Sequence, residues 1–184
     1  MSSSNPLIAL TDRATEAGAA ERIVEELREG LCSLIGSGTM TLPENMTSCC
    51  PGHYARRLVH RDPQRGYSIV AMTWDGNQGT SLHDHAGLWC VESVWLGSIE
   101  VLTYEMMEQR DALFRFEKRG SMRAGVGSAG CLIPPHDYHV IRNPTAERAV
   151  SVHIYGGDMA YCNVFQEREP GWFERQAKPL GFDT

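Results

Sequence analysis

The stretch Ser81-Leu82-His83-Asp84-His85-Ala86-Gly87-Leu88-Trp89-Cys90, with Gly97 closing the run of strand formers that follows, decides how the chain folds. In an extended segment successive side chains alternate between faces. His83 and His85 therefore point the same way and can share one metal ion, while Asp84 points away. Two imidazoles do not complete a site. The expected third donor is His139, in Pro134-Pro135-His136-Asp137-Tyr138-His139-Val140-Ile141-Arg142-Asn143, a second turn-to-strand segment far along the chain. Such a gap is closed by strands meeting in a folded barrel, not by local geometry.

The 184 residues around this element suffice for one domain with a sizeable core, and a chain that is 42% hydrophobic and 22% charged belongs to the soluble globular class. A formal net charge of -6 creates no overall field that attracts nucleic acid or an anionic membrane. Arg56-Arg57 and Arg119 to Arg123 are local basic spots, not a track. The apolar runs are far too short to span a bilayer, and the N-terminus lacks the basic region and apolar stretch of a secretion signal, so the cytoplasm is the expected compartment. The six cysteines, at 32, 49, 50, 90, 131 and 162, form no C-x-x-C pair and read as thiols in a reducing compartment. Adjacent Cys49-Cys50 makes a poor two-ligand clamp.

Residues 1–10 read as a loosely held leader. From Thr11 the pattern turns helical, with Asp12 and Glu16 near the start and Ile23, Leu27 and Leu31 recurring every four residues, until Gly36 and Gly38 end it. Residues 1–50 are thus expected to form a flank of short helices on the same domain, with Pro51-Gly52 marking the turn into residues 51–184. There the texture becomes short strands: Tyr54–Val59, Tyr67–Trp74, Leu88–Trp95, Ser98–Tyr104, Leu113–Lys118, Gly130–Ile133, His139–Asn143 and Val150–Tyr155. Many short antiparallel strands with little helix between them predict a mainly β jelly-roll barrel, wide enough inside for a small ligand. Met159–Thr184, punctuated by Pro170, Gly171, Pro179 and Gly181, reads as an irregular tail wrapping the outside.

Glycine and threonine before the histidine pair, glycine after it, and the later Pro-x-x-x-x-His-x-x-x-Asn element together resemble the two motifs of the cupin superfamily over about residues 76–143. The resemblance implies a metal inside a double-stranded β-helix. The glutamate that many cupins use as a fourth ligand is replaced here by Cys90, which leaves three imidazoles. Imidazole suits iron, zinc, nickel and copper alike. A zinc site with an open position would activate water for hydrolysis, and an iron site would bind an organic ligand together with dioxygen.

A second constellation is Ser151-Val152-His153-Ile154-Tyr155. Period two places Ser151, His153 and Tyr155 on one face, and three polar groups facing a barrel interior need partners, which a hydrogen-bonded relay supplies. The other possibility is that this row faces solvent and Val152 and Ile154 fill the core.

Taken together, Tyr54-Ala55-Arg56-Arg57-Leu58-Val59, His83-Asp84-His85 with Cys90, His139 with Asn143, and Ser151-x-His153-x-Tyr155 resemble the thiol dioxygenases, in particular the cysteine dioxygenase type I family, over about residues 50–157. The resemblance implies that His83, His85 and His139 hold one ferrous ion per chain. It further implies that Ser151, His153 and Tyr155 form a relay whose phenol faces the iron, and that Arg56, supported by Tyr54, binds the substrate carboxylate. Cys90 matches the cysteine that animal members join to the tyrosine, here Tyr155, by a thioether. Gly156-Gly157 stands where animal members have serine-proline. The implied activity is conversion of L-cysteine to cysteine sulfinic acid with dioxygen, a step of cysteine catabolism. The implied partners are a small thiol and dioxygen, with neither nucleic acid nor membrane, and a monomer or weak oligomer is expected. A 3-mercaptopropionate dioxygenase is the nearest alternative; those enzymes usually carry glutamine at the Arg56 position and an arginine beyond the relay, and Gly156 to Phe165 contains none. A cupin hydrolase or isomerase would keep the histidines without needing Arg56 or Tyr155, and a metal-free barrel would leave three buried histidines unexplained.

Overall fold

The computed structural model describes residues 5–184. The first four residues of the expected leader lie outside that range. The remainder of the leader is helix: α1 spans Pro6–Thr15, the Asn5 side chain accepts from Leu7 N at 3.0 Å, and proline occupies the first turn. An N-cap asparagine followed by proline starts a helix because the proline lacks the N–H that would otherwise be orphaned. Helix α2, Ala20–Gly36, turns Ile23, Val24, Leu27, Leu31 and Ile35 inward, and the chain leaves it through Gly38 at φ 68°.

The strands are β1 Ala55–Asp62, β2 Tyr67–Trp74, β3 Cys90–Leu96, β4 Ser98–Arg110, β5 Leu113–Gly125, β6 Ala129–Leu132, β7 His139–Arg142, β8 Ala149–Tyr155, β9 Tyr161–Glu169 and β10 Trp172–Pro179. They form two antiparallel sheets, in the orders β1-β2-β8-β3-β6 and β7-β4-β5-β10-β9. The mainly β jelly roll is therefore observed, with one correction at the end of the chain. The expected irregular tail is a hairpin: Gly171, at φ 78°, makes the turn, β9 pairs β10 along its length, and β10 pairs β5. Pro170-Gly171 is thus a hairpin turn, and Cys162 and Phe165 of β9 are buried.

The first sheet is covered on both faces. Outside it, Leu7, Leu27 and Leu31 of the helices pack with Tyr67, Ile69, Val91, Val152 and Ile154. Inside, Val70, Met72, Trp74, Cys90, Val94 and Tyr155 meet Ile99 and Ile141 of the second sheet. Leu27 and Leu31 are fully buried, and each such leucine stabilises the fold by about 1.5–3 kcal/mol. Every residue of β2 and β8 is buried as a result. Gly97 makes the tight link from β3 to β4 at φ 72°, where a side chain would also press on the Arg148 carbonyl at 2.8 Å.

Candidate metal centre

The segment carrying His83 lies outside the regular strands, wedged between two of them. His83 and His139 exchange backbone hydrogen bonds at 3.1 Å each, Asp84 N donates to Asn163 O at 3.1 Å, and Phe165 N donates to Leu82 O at 2.9 Å. Held between β7 and β9, Leu82–Asp84 is extended, so alternation applies. Asp84 turns away from the histidines and accepts from Asn163 N, Asn163 Nδ2 and Ala86 N. Ala86 and Gly87, at φ 52° and 88°, then swing the chain into β3.

The rings converge. Centroids of His83 and His139 are 4.2 Å apart, of His85 and His139 4.9 Å, and of His83 and His85 5.6 Å, and one ring nitrogen from each lies within 4.8 Å of the others. His83 Nδ1 sits 3.0 Å from the Ser81 carbonyl and His139 Nδ1 2.7 Å from the Asp137 carbonyl. A carbonyl only accepts, so each Nδ1 carries a proton, and Nε2 is the atom each ring can turn to a metal. Asp137 accepts the backbone N–H of His85 at 2.9 Å, and its carboxylate stands 3.6 Å from His85 Nδ1. Burial, followed by the neighbouring His139, pushes the pKa of His83 and His85 down, leaving the neutral form a metal needs.

Glu92 adds a donor that the sequence comparison with cupins had assigned to the Cys90 position and found missing. The Cys90 reading stands, yet a carboxylate arrives two residues later on the same face of β3. Glu92 Oε1 lies 3.1 Å from His139 Nε2 and 3.8 Å from His153 Nδ1, all three groups being buried. None of these atoms has a hydrogen-bond partner. Burial acts to raise the Glu92 pKa, but the imidazoles, His139 foremost, outweigh it and hold it down to about 2. Burial likewise opposes a proton on His139, and Glu92 outweighs it in the other direction.

Ser151, His153 and Tyr155 face the interior beside this cluster, which removes the solvent-facing alternative. Trp74 Nε1, a donor only, gives its hydrogen to Ser151 Oγ at 2.8 Å, so the serine hydroxyl donates to His153 Nε2 at 2.7 Å. His153 stacks near Tyr155 at 6.1 Å between centroids, and the Tyr155 ring lies 5.6 Å from that of His85. Burial holds the His153 pKa down to about 4 and raises that of Tyr155 well above its ordinary value, so both are neutral near pH 7. Cys90 stands directly opposite Tyr155 in the β3–β8 ladder, and burial raises its thiol pKa.

Arg56 and Tyr54 line the same pocket as His83, His85, Glu92 and Tyr155. Tyr54 stacks on Trp74 at 4.6 Å. The Arg56 guanidinium is held from the chain end, donating to Gly181 O at 2.8 Å and Met159 O at 3.5 Å, while its Nε is left without a partner. Arg57 points the other way and donates to Ser48 O at 2.7 Å and to Cys50 Sγ at 3.5 Å. Tyr54, Arg56, His83, His85, His153 and Tyr155 thus line one pocket, while His139 converges on the other two imidazoles, Ser151 bonds to His153 and Cys90 opposes Tyr155. Glu92, Asp137 and Trp74 were not among the expected residues; the signal for Glu92 was a lone carboxylate in the apolar run Cys90–Leu96, in phase with Cys90.

The donor set fits a metal: three imidazoles converge, and two buried atoms, Glu92 Oε1 and His139 Nε2, face each other at 3.1 Å with no well-aligned hydrogen bond among the described residues. A jelly-roll barrel holding such a cluster is a cupin. The family model for cysteine dioxygenase type I matches residues 46–168, two thirds of the chain, and the chain belongs to that family of thiol dioxygenases. Among solved structures it is similar to an RmlC-like cupin protein from Desulfovibrio desulfuricans, at 18% identity over 64% of this chain and 96% of that one, with a TM-score of 0.47. It is also similar to a Cupin 2 conserved barrel domain protein from Salinispora arenicola, at 13% identity over 64% and 86%, with a TM-score of 0.45. Among the described residues no helix is long and apolar enough to cross a membrane.

Proposed function

We propose that this protein is an iron-dependent cysteine dioxygenase, which converts L-cysteine and dioxygen to cysteine sulfinate and a proton, both oxygen atoms ending on sulfur. The observation that carries the proposal is the shared pocket, lined by Arg56 and Tyr155 together with His83 and His85, whose rings converge with that of His139. Ferrous iron held by the Nε2 atoms of His83 and His139 and by His85 would supply a place where a thiolate and dioxygen meet and the electrons that activate the latter.

The chain's own residues do the rest. Arg56 offers a guanidinium fork, the side chain best matched to the carboxylate of an amino acid anchored at its other end by sulfur. Tyr54, stacked on Trp74, closes the pocket beside it. Tyr155, neutral and buried, offers an O–H to a developing negative charge on oxygen or sulfur. The Trp74–Ser151–His153 chain fixes the imidazole that packs next to that phenol. Fixing both reactants within one small pocket replaces a collision by a step inside a single complex.

The test is oxygen consumption by the iron-loaded protein with L-cysteine, 3-mercaptopropionate and cysteamine, with sulfinate identified by mass spectrometry. L-Cysteine should be the best substrate. A preference for 3-mercaptopropionate would make the protein the related dioxygenase, and no oxygen uptake with any thiol would leave a hydrolase or isomerase as the better account.

A further inference from the structure

Glu92 has no role in the three-histidine scheme, yet it is the one carboxylate whose oxygen reaches the Nε2 of a proposed ligand. His139 Nδ1 is committed as a donor to the Asp137 carbonyl at 2.7 Å, so its Nε2 is the atom turned towards Glu92 Oε1, at 3.1 Å. Both atoms are buried, and neither makes a well-aligned hydrogen bond among the described residues. A carboxylate oxygen and an imidazole nitrogen at that spacing can hold either a proton or a metal ion between them. Two donors each about 2.1 Å from one ion, at right angles, are about 3 Å apart, which is the separation seen here. A second set of ligand atoms within 4.8 Å of one another joins Glu92 to His85 and Cys90, so the carboxylate lies within reach of two of the three histidines.

We propose that Glu92 is a fourth protein ligand, making the centre a three-histidine, one-carboxylate site built from β3 as well as from the His83–His85 segment and β7. It stands two residues beyond the position where the cupin motif places its glutamate, and alternation along β3 gives both positions the same interior face. The anionic oxygen reduces the charge of the centre by one and occupies one more position on the ion, leaving two rather than three on a six-coordinate metal. A thiol bound through sulfur alone then leaves room for dioxygen, whereas a sulfur-and-amine chelate fills both places unless Glu92 lets go. The inference rests on the metal-centre part of the proposed function and not on its choice of thiol.

Two measurements test it without any thiol present. The first is anaerobic competition for ferrous iron between the protein and a chromophoric chelator, for wild type and Glu92→Gln. The substitution keeps the shape and removes the charge, and it should weaken iron binding by at least about tenfold. Thermal melts of the metal-free forms accompany it, to establish that Glu92→Gln is folded at the temperature of the titration. The second is a crystal structure of the iron-loaded wild type, in which a Glu92 oxygen is expected about 2.1 Å from the metal. Equal affinity in the variant, or a Glu92 oxygen more than about 3 Å from the metal, would overturn the assignment. The crystal structure decides by itself if the variant does not fold. Because neither readout involves turnover, iron-bound Glu92 in a protein inactive on thiols would sink the proposed function alone.

Discussion

Cys90 and Tyr155 are directly opposed partners in the antiparallel β3–β8 ladder, both buried and both on the interior face. Opposed residues bring their Cβ atoms within about 5 Å, which a cysteine sulfur and a tyrosine ring readily bridge. A thioether between them would form by loss of two hydrogens, which dioxygen, present during turnover, would take up as hydrogen peroxide. Peptide mass spectrometry before and after turnover with L-cysteine is expected to show the joined peptides lighter by the mass of those hydrogens. Cys90→Ala should retain activity at a reduced level; complete loss would mean that the thiol holds the metal or the fold.

Arg56→Gln should raise the KM for L-cysteine by about 10- to 100-fold, the equivalent of one charge-assisted hydrogen-bonded pair of about 1.5–3 kcal/mol. Cysteamine, which has no carboxylate, serves as the control and should change little. If both thiols lose equally, Arg56 supports the pocket wall and does not hold the substrate.

Removal of any one imidazole from the centre leaves its neighbours buried without the ion they share. His139→Ala should lose most of its iron and nearly all turnover, as measured by metal analysis of protein reconstituted with ferrous iron under anaerobic conditions. Chelation of wild type should lower its melting temperature in step with the free-iron concentration, because the ion binds only the folded chain. Normal iron content in the His139→Ala protein would remove that residue from the site.

Asp183 ties the chain end to the pocket: its carboxylate accepts Arg56 N at 2.8 Å and pairs with His53 Nε2 at 3.0 Å. The Arg56 N–H, and after it His53, hold its pKa below the ordinary carboxyl value. A folded pKa lower than the unfolded one means the unfolded chain takes up the proton first as pH falls. The stabilisation is therefore fully present above about pH 4 and is lost as pH drops through the folded value. Asp183→Asn should cost about 0.5–1 kcal/mol at pH 7 by urea denaturation. The gap to wild type should close on acidification below about pH 4. A gap independent of pH would show that the asparagine disturbs packing rather than charge.

What was legible in the sequence follows the reach of its local signals. His83 and His85 could be paired because period two survives wherever a segment is extended, and Leu82–Asp84 is held extended by β7 and β9. Arg56 and Arg57 could be known to face opposite ways, but which one enters the pocket is set by carbonyls of Gly181 and Met159, far away in the chain. The Trp74–Ser151 hydrogen bond has no local signature either, since it depends on β2 lying beside β8. Helix α1 has its signal in Asn5-Pro6 and not in an apolar repeat, and the β9–β10 hairpin is hidden because Pro170-Gly171 suits an irregular tail as well as a turn. Glu92 has no motif to mark it, since the position the cupin pattern reserves for glutamate is filled by Cys90 two residues earlier.

Strand β8 has no idle side. His153 and Tyr155 line the pocket and Ser151 holds His153, Val152 and Ile154 belong to the core beneath the helices, and Gly156 just beyond is kept bare by the Trp89 indole, which a Cβ would overlap. Any replacement there disturbs reactivity or folding, and often both. The opposite wall is made differently: Leu180 lines the pocket, and the Gly181 carbonyl, the Phe182 ring and the Asp183 carboxylate hold Arg56 in place, all of them beyond the end of β10. Descendants of this chain, natural or selected in the laboratory, have most freedom to change what they accept by rewriting those closing residues, where an altered side chain reshapes the binding wall without breaking a single rung of the barrel.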